Sequence, residues 1–553
     1  MTARAQTAVD RVAEHHLDTF AALDPCAATE LGIVGDYDRA ITDYSPDGVA
    51  ARAEAAQAAL AELDATAVVD DVDTVTVAAM RERLGVTVEL HDAGLDVGDL
   101  NVIASPLQQM RDVFDLMATD TDDDWAVIAD RLAQVPDRVD GYLAALRRAA
   151  DDGHAPAARQ VERGVGQASA IANLFVEMVA GDRTADAALN ALLQHNARAT
   201  AEAYSRLADG LRTDIAPRAR TRDACGRDEY ALFSRSFLGA RIDLDETYEW
   251  GLSQLEAIVA EQESIAQELY PGAGVAEALR RLDGEAGYTV VGTDALQRWM
   301  QDLSDRAVDA LADVHFDIPE PLRRLECRIA PTQTGGIYYT GPSEDLTRPG
   351  RMWWSVPPGV DEFHTWQETT TVFHEGVPGH HLQIGRAVTL ADRLNRWRRL
   401  GCWVSGHGEG WALYAERLMA ELGWLDDLGA RMGMLDAQRF RAARVVIDIG
   451  VHCQLRAPDG GIWDADRAWA FLTSHSAMAE DNLRFELDRY LGWPGQAPSY
   501  AVGQRIWQQL RDTVTGVGVS LREFHRTALD LGGLPLEVLV EAVAPAAPSG
   551  PLL

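Results

Sequence analysis

The sequence predicts a mainly α-helical protein with one small β-sheet. Apolar residues recur at three- and four-residue spacing over most of the 553-residue chain, with Glu, Asp and Arg between them. Only residues 325–356 show short apolar runs separated by Gly/Pro-rich turns, as strands do. A hydrophobic content of 47% is ample for a buried core. We therefore expect a large helical fold in which the sheet is a local feature.

The first half of the chain is predicted to be a succession of helices, from residue 7 to about residue 265. The clearest helical patterns are at residues 51–63, 125–150, 168–179 and 185–213. The acidic run at residues 120–124 comes directly before the second of these patterns. We interpret it as a helix start, because negative charge is favourable at that end of a helix.

Glycine and proline break the helical pattern at residues 271–274 and 284–292, and a short β region follows. We predict strands at residues 325–330, 336–340 and 352–356. The second strand carries Tyr338, a candidate for substrate binding, because an edge strand beside a cleft can pair with an extended peptide. The alternative is a sheet that only covers the neighbouring helix.

The helical pattern resumes at residue 369 and continues to about residue 543. We predict an N-terminal helical region over residues 1–265 and a metal-binding catalytic region over residues 266–553. Together they are expected to form one continuous helical domain over residues 1–545, with a deep cleft.

Composition excludes several classes of function. A net charge of −36 opposes binding to nucleic acid or to an anionic membrane. All 50 basic residues are arginine, which excludes P-loop and Schiff-base chemistry, since both require lysine. The five cysteines lack C-x-x-C spacing, and the N-terminus lacks the apolar core of a signal peptide. We therefore expect a cytoplasmic protein.

The candidate catalytic motif is the run from His374-Glu375 to His380-His381. A His-Glu pair followed by another His is how zinc hydrolases place two imidazoles on the metal and a carboxylate beside its water. The usual second His lies at i+4, on the same helix face. Here it comes at i+6 or i+7, which on a regular helix faces away or lies about 10 Å along the axis.

Pro378 and Gly379 offer a way to bring the two imidazoles together. Pro378 has no N–H for the carbonyl of His374, and its ring opens the turn. Gly379 accepts the unusual dihedral angles that such a distortion needs. We predict that residues 377–379 loop out and that His380 or His381 replaces the i+4 ligand, with His380 favoured.

Glu409 is the candidate third ligand, because it begins an Ala/Leu-rich helical run and a catalytic zinc needs three protein ligands and an open position. We predict one Zn²⁺ per chain, held by His374, His380 and Glu409. Glu416, two helical turns further on, is predicted to hydrogen-bond to a ligand. Seven of the 14 tryptophans lie between residues 353 and 424, which fits either an apolar-walled cleft or plain core packing.

These motifs, together with residues 444–452 and 490–503, resemble the bacterial family of domain of unknown function 885 proteins along most of the chain. That family is grouped with helical zincin peptidases such as carboxypeptidase Taq and angiotensin-converting enzyme. The resemblance implies a zincin-like fold and a His, His, Glu zinc site with Glu375 as the general base. It implies no particular substrate.

Two downstream residues are predicted to complete the chemistry. His452 and Tyr500 suit the donation of hydrogen bonds to a tetrahedral oxyanion, by residue type and by similarity to the helical zincins. The alternatives are a buried His452 bonded to Asp448 and a loop Tyr500 packed on Pro498. Arg444 is predicted to bind a substrate carboxylate, or else to pair with Asp448. Gln496 is a further candidate for substrate binding.

The predicted function is zinc-dependent hydrolysis of a peptide or another small amide. Glu375 is expected to take a proton from the metal-bound water and pass it to the leaving amine. Two alternatives remain at this stage. One is a metal enzyme with a non-peptide biosynthetic substrate. The other is a zinc-stabilised, non-catalytic scaffold in which His381 or His407 fills the fourth metal position.

Overall fold

A computed structural model of the chain describes residues 4–331 and 336–544. Within those ranges the protein is mainly α-helical with a small sheet, as predicted. The last residue of the predicted domain, residue 545, lies outside the described residues.

The α-helices are α1 (Ala8–Leu23), α2 (Pro25–Glu30), α3 (Pro46–Asp64), α4 (Asp71–Asp92), α5 (Pro106–Asp112), α6 (Asp122–Asp151), α7 (Ala158–Met178), α8 (Ala187–Gly210), α9 (Arg227–Leu238), α10 (Leu244–Leu269), α11 (Val275–Asp283), α12 (Thr293–Leu311), α13 (Thr365–Glu375), α14 (His380–Thr389), α15 (Ser405–Glu421), α16 (Leu428–His452), α17 (Ala465–Ser474), α18 (Glu480–Gly492), α19 (Ser499–Gly516), α20 (Leu521–Leu529) and α21 (Leu536–Val543). The strands are β1 (Thr289–Val291), β2 (Leu325–Ile329), β3 (Ile337–Thr340), β4 (Gly350–Trp354) and β5 (Glu362–His364).

The four helices predicted in the first half of the chain are confirmed as α3, α6, α7 and α8. The acidic run is the start of α6, as predicted. Thr121 caps this helix, and its hydroxyl and the Asp124 carboxylate each accept a hydrogen bond from the other residue's backbone N–H. Helix α7 begins at Ala158, well before the predicted residue 168. Glycines weaken the helical pattern in that first part, although tertiary packing of Gly164 against Leu100 accommodates one of them.

The three predicted strands form one sheet in the order β2-β4-β3. Strand β2 is parallel to β4, and β3 is antiparallel to it. The structure adds a two-stranded antiparallel pair, β1 with β5, that was not predicted. Each of its strands has only three residues, too few to show an alternating pattern.

Two hydrophobic clusters make up the core of the described residues. The smaller one is built by residues 26–215, mainly from α5 to α8, and the larger one joins α1, α3 and α4 to the helices after residue 230. Helix α10 crosses the predicted region boundary at residue 265 without a break and packs along α16. None of the described helices is both long and apolar enough to cross a membrane.

Five helices and one strand position the candidate site. Helix α13 packs against α14, α15, α16 and β3, and α19 packs against α15 and α16. The crossing of α15 with α19 is close because glycines face each other there. A Cβ atom on Gly410 would lie 2.6 Å from the Cα atom of Gly503. This close contact fixes the start of α19 beside the start of α15, where the functional motifs lie.

Candidate metal centre

The first feature of the site is the interruption between α13 and α14. Helix α13 ends at Glu375 and α14 begins at His380, so residues 376–379 separate two helices rather than forming a bulge in one. Gly379 packs directly on the carbonyl oxygen of His374, where a Cβ atom has no room. The Trp411 indole N–H holds the turn from α15 by donating to the carbonyl of Pro378 at 2.8 Å.

This turn brings the three predicted ligands together. The Nε2 atoms of His374 and His380 lie 3.4 and 3.6 Å from Oε2 of Glu409. One donor atom from each of the three residues lies within 4.8 Å of the other two. The two imidazole rings are perpendicular, with centroids 4.9 Å apart. Both His side chains are buried, and Glu409 is 19% exposed at the cavity.

These spacings fit a single tetrahedral ion. Zinc bonds of about 2.0–2.2 Å at tetrahedral angles separate neighbouring ligand atoms by about 3.4 Å. The separations of 3.4 and 3.6 Å match this value and exceed an ordinary charged hydrogen bond. Two imidazole nitrogens and a carboxylate oxygen are also a donor set that zinc accepts. The residues present therefore fit the ion that the sequence predicts.

Glu416 holds His374 in the orientation and tautomer that a metal ligand needs. The Nδ1–H of His374 donates to Oε1 of Glu416 at 2.7 Å, and the Thr370 hydroxyl donates to the other carboxylate oxygen at 2.7 Å. With its proton on Nδ1, His374 presents the lone pair of Nε2 toward Glu409. This is the arrangement in which a carboxylate orients a ligating histidine.

We expect Glu416→Gln to weaken zinc binding by about 10-fold or more, because it removes the charge that orients and polarises His374. Zinc affinity is to be measured by competition with a chelator of known affinity. Glu421→Gln on the same helix is the control, since Glu421 is half exposed and pairs with Arg511. Equal zinc affinities for the two variants would contradict the role of Glu416.

The other two histidines of the region do not join the cluster. His381 hydrogen-bonds with the Tyr339 hydroxyl at 2.9 Å and with the carbonyl of Leu322 at 2.8 Å, so both of its ring nitrogens are engaged. His407 has Nδ1 within 3.0 Å of the Gln383 amide and lines a neighbouring cavity. The structure therefore brings His380, and not His381, to Glu409.

A cavity of about 320 Å³ opens beside the three ligands. Glu375 lines it, and the Glu375 carboxylate makes no hydrogen bond to the protein within the described residues. Burial raises the pKa of Glu375 above its usual range, against the opposing charges of His374, His380 and Arg441. A carboxylate with a raised pKa, beside the ligands and without a protein partner, is suited to take up and release a proton.

Tyr500 and two arginines form another part of the cavity wall. The guanidinium carbons of Arg444 and Arg441 lie 5.2 and 6.0 Å from the centroid of the Tyr500 ring. Burial raises the pKa of the Tyr500 hydroxyl, so the group remains a hydrogen-bond donor. Tyr338 also lines the cavity from β3, is 40% exposed and stacks on Trp353.

Arg444 lines the cavity, but its guanidinium is already engaged. Its Nη2 donates to Glu486 at 2.9 Å and its Nε to the Tyr490 hydroxyl at 2.8 Å. Asp448, the partner considered from sequence, instead accepts a hydrogen bond from Tyr230 at 2.7 Å. Gln496 is buried away from the cavity lining.

His452 is not part of this cavity. Its Nε2 hydrogen-bonds to the carbonyl of Tyr490 at 2.9 Å, and its Nδ1 lies 3.4 Å from the backbone nitrogen of Cys225. The ring stacks on Tyr230, and burial lowers the pKa of His452 to about 4. Because both nitrogens face backbone groups, His452 is not positioned to donate a hydrogen bond to an oxyanion in this cavity.

Five of the residues that line the cavity were given no role by the sequence. They are Arg441, which follows from no motif, Ile384 and Trp403, which lie between the motifs, and Ile337 and Tyr339 of β3. The clustering of tryptophans was the one signal in the sequence that pointed to an apolar wall. The ring centroids of Trp403 and His380 are 6.3 Å apart.

Comparison with known proteins agrees with the fold. The sequence profile of the family described as "Bacterial protein of unknown function (DUF885)" matches residues 25–543. A solved structure of a "putative lipoprotein" from Colwellia psychrerythraea is 20% identical, with a TM-score of 0.80 over 97% of this chain and 98% of that one. A second, described in the same words and as "of unknown function", from Shewanella oneidensis, is 16% identical, with a TM-score of 0.76 over 97% and 99%. No curated protein matches the chain.

Proposed function

We propose that this chain, which belongs to the bacterial DUF885 family, is a zinc-dependent hydrolase that cleaves a peptide or another small amide. The observation that carries the proposal is the convergence of His374, His380 and Glu409 at spacings that suit one tetrahedral ion. The same site supports a relationship to the helical zincin peptidases.

The charge balance of the site also supports a bound cation. Glu375, Glu409 and Glu416 bring three carboxylates into a buried space with two imidazoles. Burial alone would lower the pKa of His374, but Glu409 and Glu416 raise it to about 10. The carboxylates therefore favour a positive charge at this position, and a divalent ion supplies one without protonating a ligand.

When bound, zinc would lower the pKa of a water molecule and polarise the substrate carbonyl. Glu375 accepts the proton as the water oxygen attacks, and it then donates that proton to the leaving nitrogen. Glu416 keeps the His374 ring in place throughout. The Tyr500 hydroxyl donates to the oxygen on which negative charge develops.

Two features favour catalysis over a scaffold role. A structural zinc site is closed by four protein ligands, whereas the described residues supply three beside a cavity. Both His381 and His407, which a closed site would use, are hydrogen-bonded elsewhere. Glu375 has no function in a closed site, since a structural metal needs no base.

Digestion of a peptide library by the zinc-loaded protein tests this proposal. We expect hydrolysis by zinc-loaded protein, its loss after chelation, and its return when zinc is restored, because three chain ligands leave the ion exchangeable. Circular dichroism should show that the chelated protein stays folded. A metal-loaded protein that cleaves no peptide would point to a non-peptide substrate, and unfolding on chelation would point to a scaffold.

A further inference from the structure

The metal cavity has a cationic side, formed by Arg441 and Arg444 of α16. The two side chains lie one helical turn apart and both approach the Tyr500 ring. The protein as a whole carries a net charge of −36, so a positive wall beside the candidate metal is a local exception. A local positive field in a cavity attracts anionic ligands.

The charge of Arg444 is compensated within the protein. Glu486 accepts hydrogen bonds from Arg444 at 2.9 Å and from Arg489 at 3.1 Å, and the Tyr490 hydroxyl bridges Arg444 to the same carboxylate. Arg489 also donates to Gln496. This network is buried and holds Arg444 in place.

Arg441 is different. Among the described residues it has no carboxylate within ion-pair distance, and its one protein hydrogen bond runs from Nη1 to the carbonyl of Ala437 at 3.2 Å. Its Nε is buried without a hydrogen-bond partner. A guanidinium has five N–H donors arranged as a fork that matches a carboxylate. An anionic ligand in the cavity would supply the acceptor that the buried Nε lacks and the countercharge that the protein does not place beside this guanidinium.

A second cavity of about 590 Å³ adjoins the metal cavity. Tyr339, Ile384 and Trp403 line both cavities. The wall of the second cavity combines apolar side chains such as Leu400 with charged ones such as Arg348. A volume of this size accommodates several residues of a peptide or a comparable acyl group. The metal cavity therefore contains an unpaired cation in its own wall and has a roomy cavity of mixed polarity beside it.

We propose that Arg441 binds a free carboxylate at the end of the substrate, while the acyl part of the substrate extends past Trp403 into the larger cavity. This inference rests on the proposed hydrolase function and specifies its substrate class. The substrates are then short peptides cleaved near the C-terminus, or N-acyl amino acids. Water adds across the amide C–N bond. Its hydroxyl joins the acyl carbon and its proton goes to the nitrogen of the carboxylate-bearing product, which Arg441 holds.

The test uses a peptide library in which every sequence is present with a free and with an amidated C-terminus. We expect zinc-loaded wild type to cleave the free acids with a kcat/KM about 100-fold higher than that of the amides. A charge-assisted hydrogen bond between Arg441 and the C-terminal carboxylate has a strength of that order. Arg441→Gln should abolish this preference, and Arg441→Lys, which keeps the charge without the fork, should retain part of it. The control is Arg298→Gln, at an exposed position of α12, which should behave as wild type.

A binding measurement separates this inference from the hydrolase proposal. Glu375→Gln protein is mixed with equal amounts of the acid and amide peptides, and the peptides retained on ultrafiltration are identified by mass spectrometry. We expect retention of the acids, and its loss when Arg441→Gln is added to Glu375→Gln. Equal cleavage and equal retention of acids and amides would overturn the carboxylate site while leaving the hydrolase intact. Retention of acids through Arg441 without any cleavage would overturn the hydrolase and leave the carboxylate site.

Discussion

Glu375→Gln is expected to lower kcat for amide hydrolysis by about 10³-fold, which is the range in which general-base catalysis contributes. Glutamine has nearly the same shape but cannot accept the proton from the attacking water. The Glu375 carboxylate makes no hydrogen bond to other described residues and is not one of the three converging ligands. The variant should therefore keep one zinc per chain, and its melting temperature should stay close to that of wild type. Turnover is to be measured on the best peptide from the library, together with zinc content by emission spectrometry.

Glu268→Gln is the matched control for this prediction. Glu268 is an exposed residue near the end of α10, and its side chain makes no hydrogen bond in the described structure. Glu268→Gln should leave kcat unchanged. The fall in kcat of Glu375→Gln could then not be explained by the loss of one negative charge from the protein. If Glu375→Gln turns over substrate as fast as Glu268→Gln does, Glu375 is not the base.

His380→Ala is expected to reduce zinc affinity by at least about 100-fold, since loss of a ligand should exceed the effect of losing a residue that only orients one. His380 contributes the Nε2 atom 3.6 Å from Glu409, and two donors cannot hold zinc against a chelator as three do. Zinc per chain is to be measured after dialysis against a competing chelator. Hydrolysis should fall in parallel and should recover in part with excess zinc.

The control here is His195→Ala, which removes an exposed histidine of α8 that lies far along the chain from the motifs. It should keep one zinc per chain under the same dialysis. His381→Ala gives a second comparison, because its ring is hydrogen-bonded to Tyr339 and Leu322 instead of facing Glu409. Retention of zinc by His380→Ala together with its loss from His381→Ala would reverse the ligand assignment.

The parts of the site that the sequence predicted are those set by local chain geometry. His374, Glu375 and His380 lie within one turn-linked pair of helices, and Pro378 and Gly379 at that turn are readable as a helix interruption. In the structure the interruption is a break between two helices, α13 and α14, and not a loop within one helix. The break still brings the two imidazoles together, as predicted.

The sequence did not reveal which residues of α16 face the metal. Arg441, Arg444 and His452 share a face of this helix, because 11 residues are close to three full turns. At about 1.5 Å per residue, however, Arg441 and His452 are separated by about 16 Å along the axis, so one cavity cannot contain both. Arg444 has an ion-pair partner and Arg441 has none because of the position of Glu486, a residue on another helix.

The same limit applies to the unpredicted strand pair. Strands β1 and β5 pair across more than 70 positions of the chain, and neither has enough residues to be recognised alone. Contacts between distant segments decide this pairing, and composition does not report it.

The most direct test of the zinc site is anomalous X-ray diffraction from crystals of the zinc-loaded protein, recorded on both sides of the zinc absorption edge. We expect one zinc peak per chain, about 2.0–2.2 Å from Nε2 of His374, Nε2 of His380 and Oε2 of Glu409. Absence of zinc from that position, or a fourth protein side chain completing its coordination, would show that these residues do not form an open catalytic zinc site.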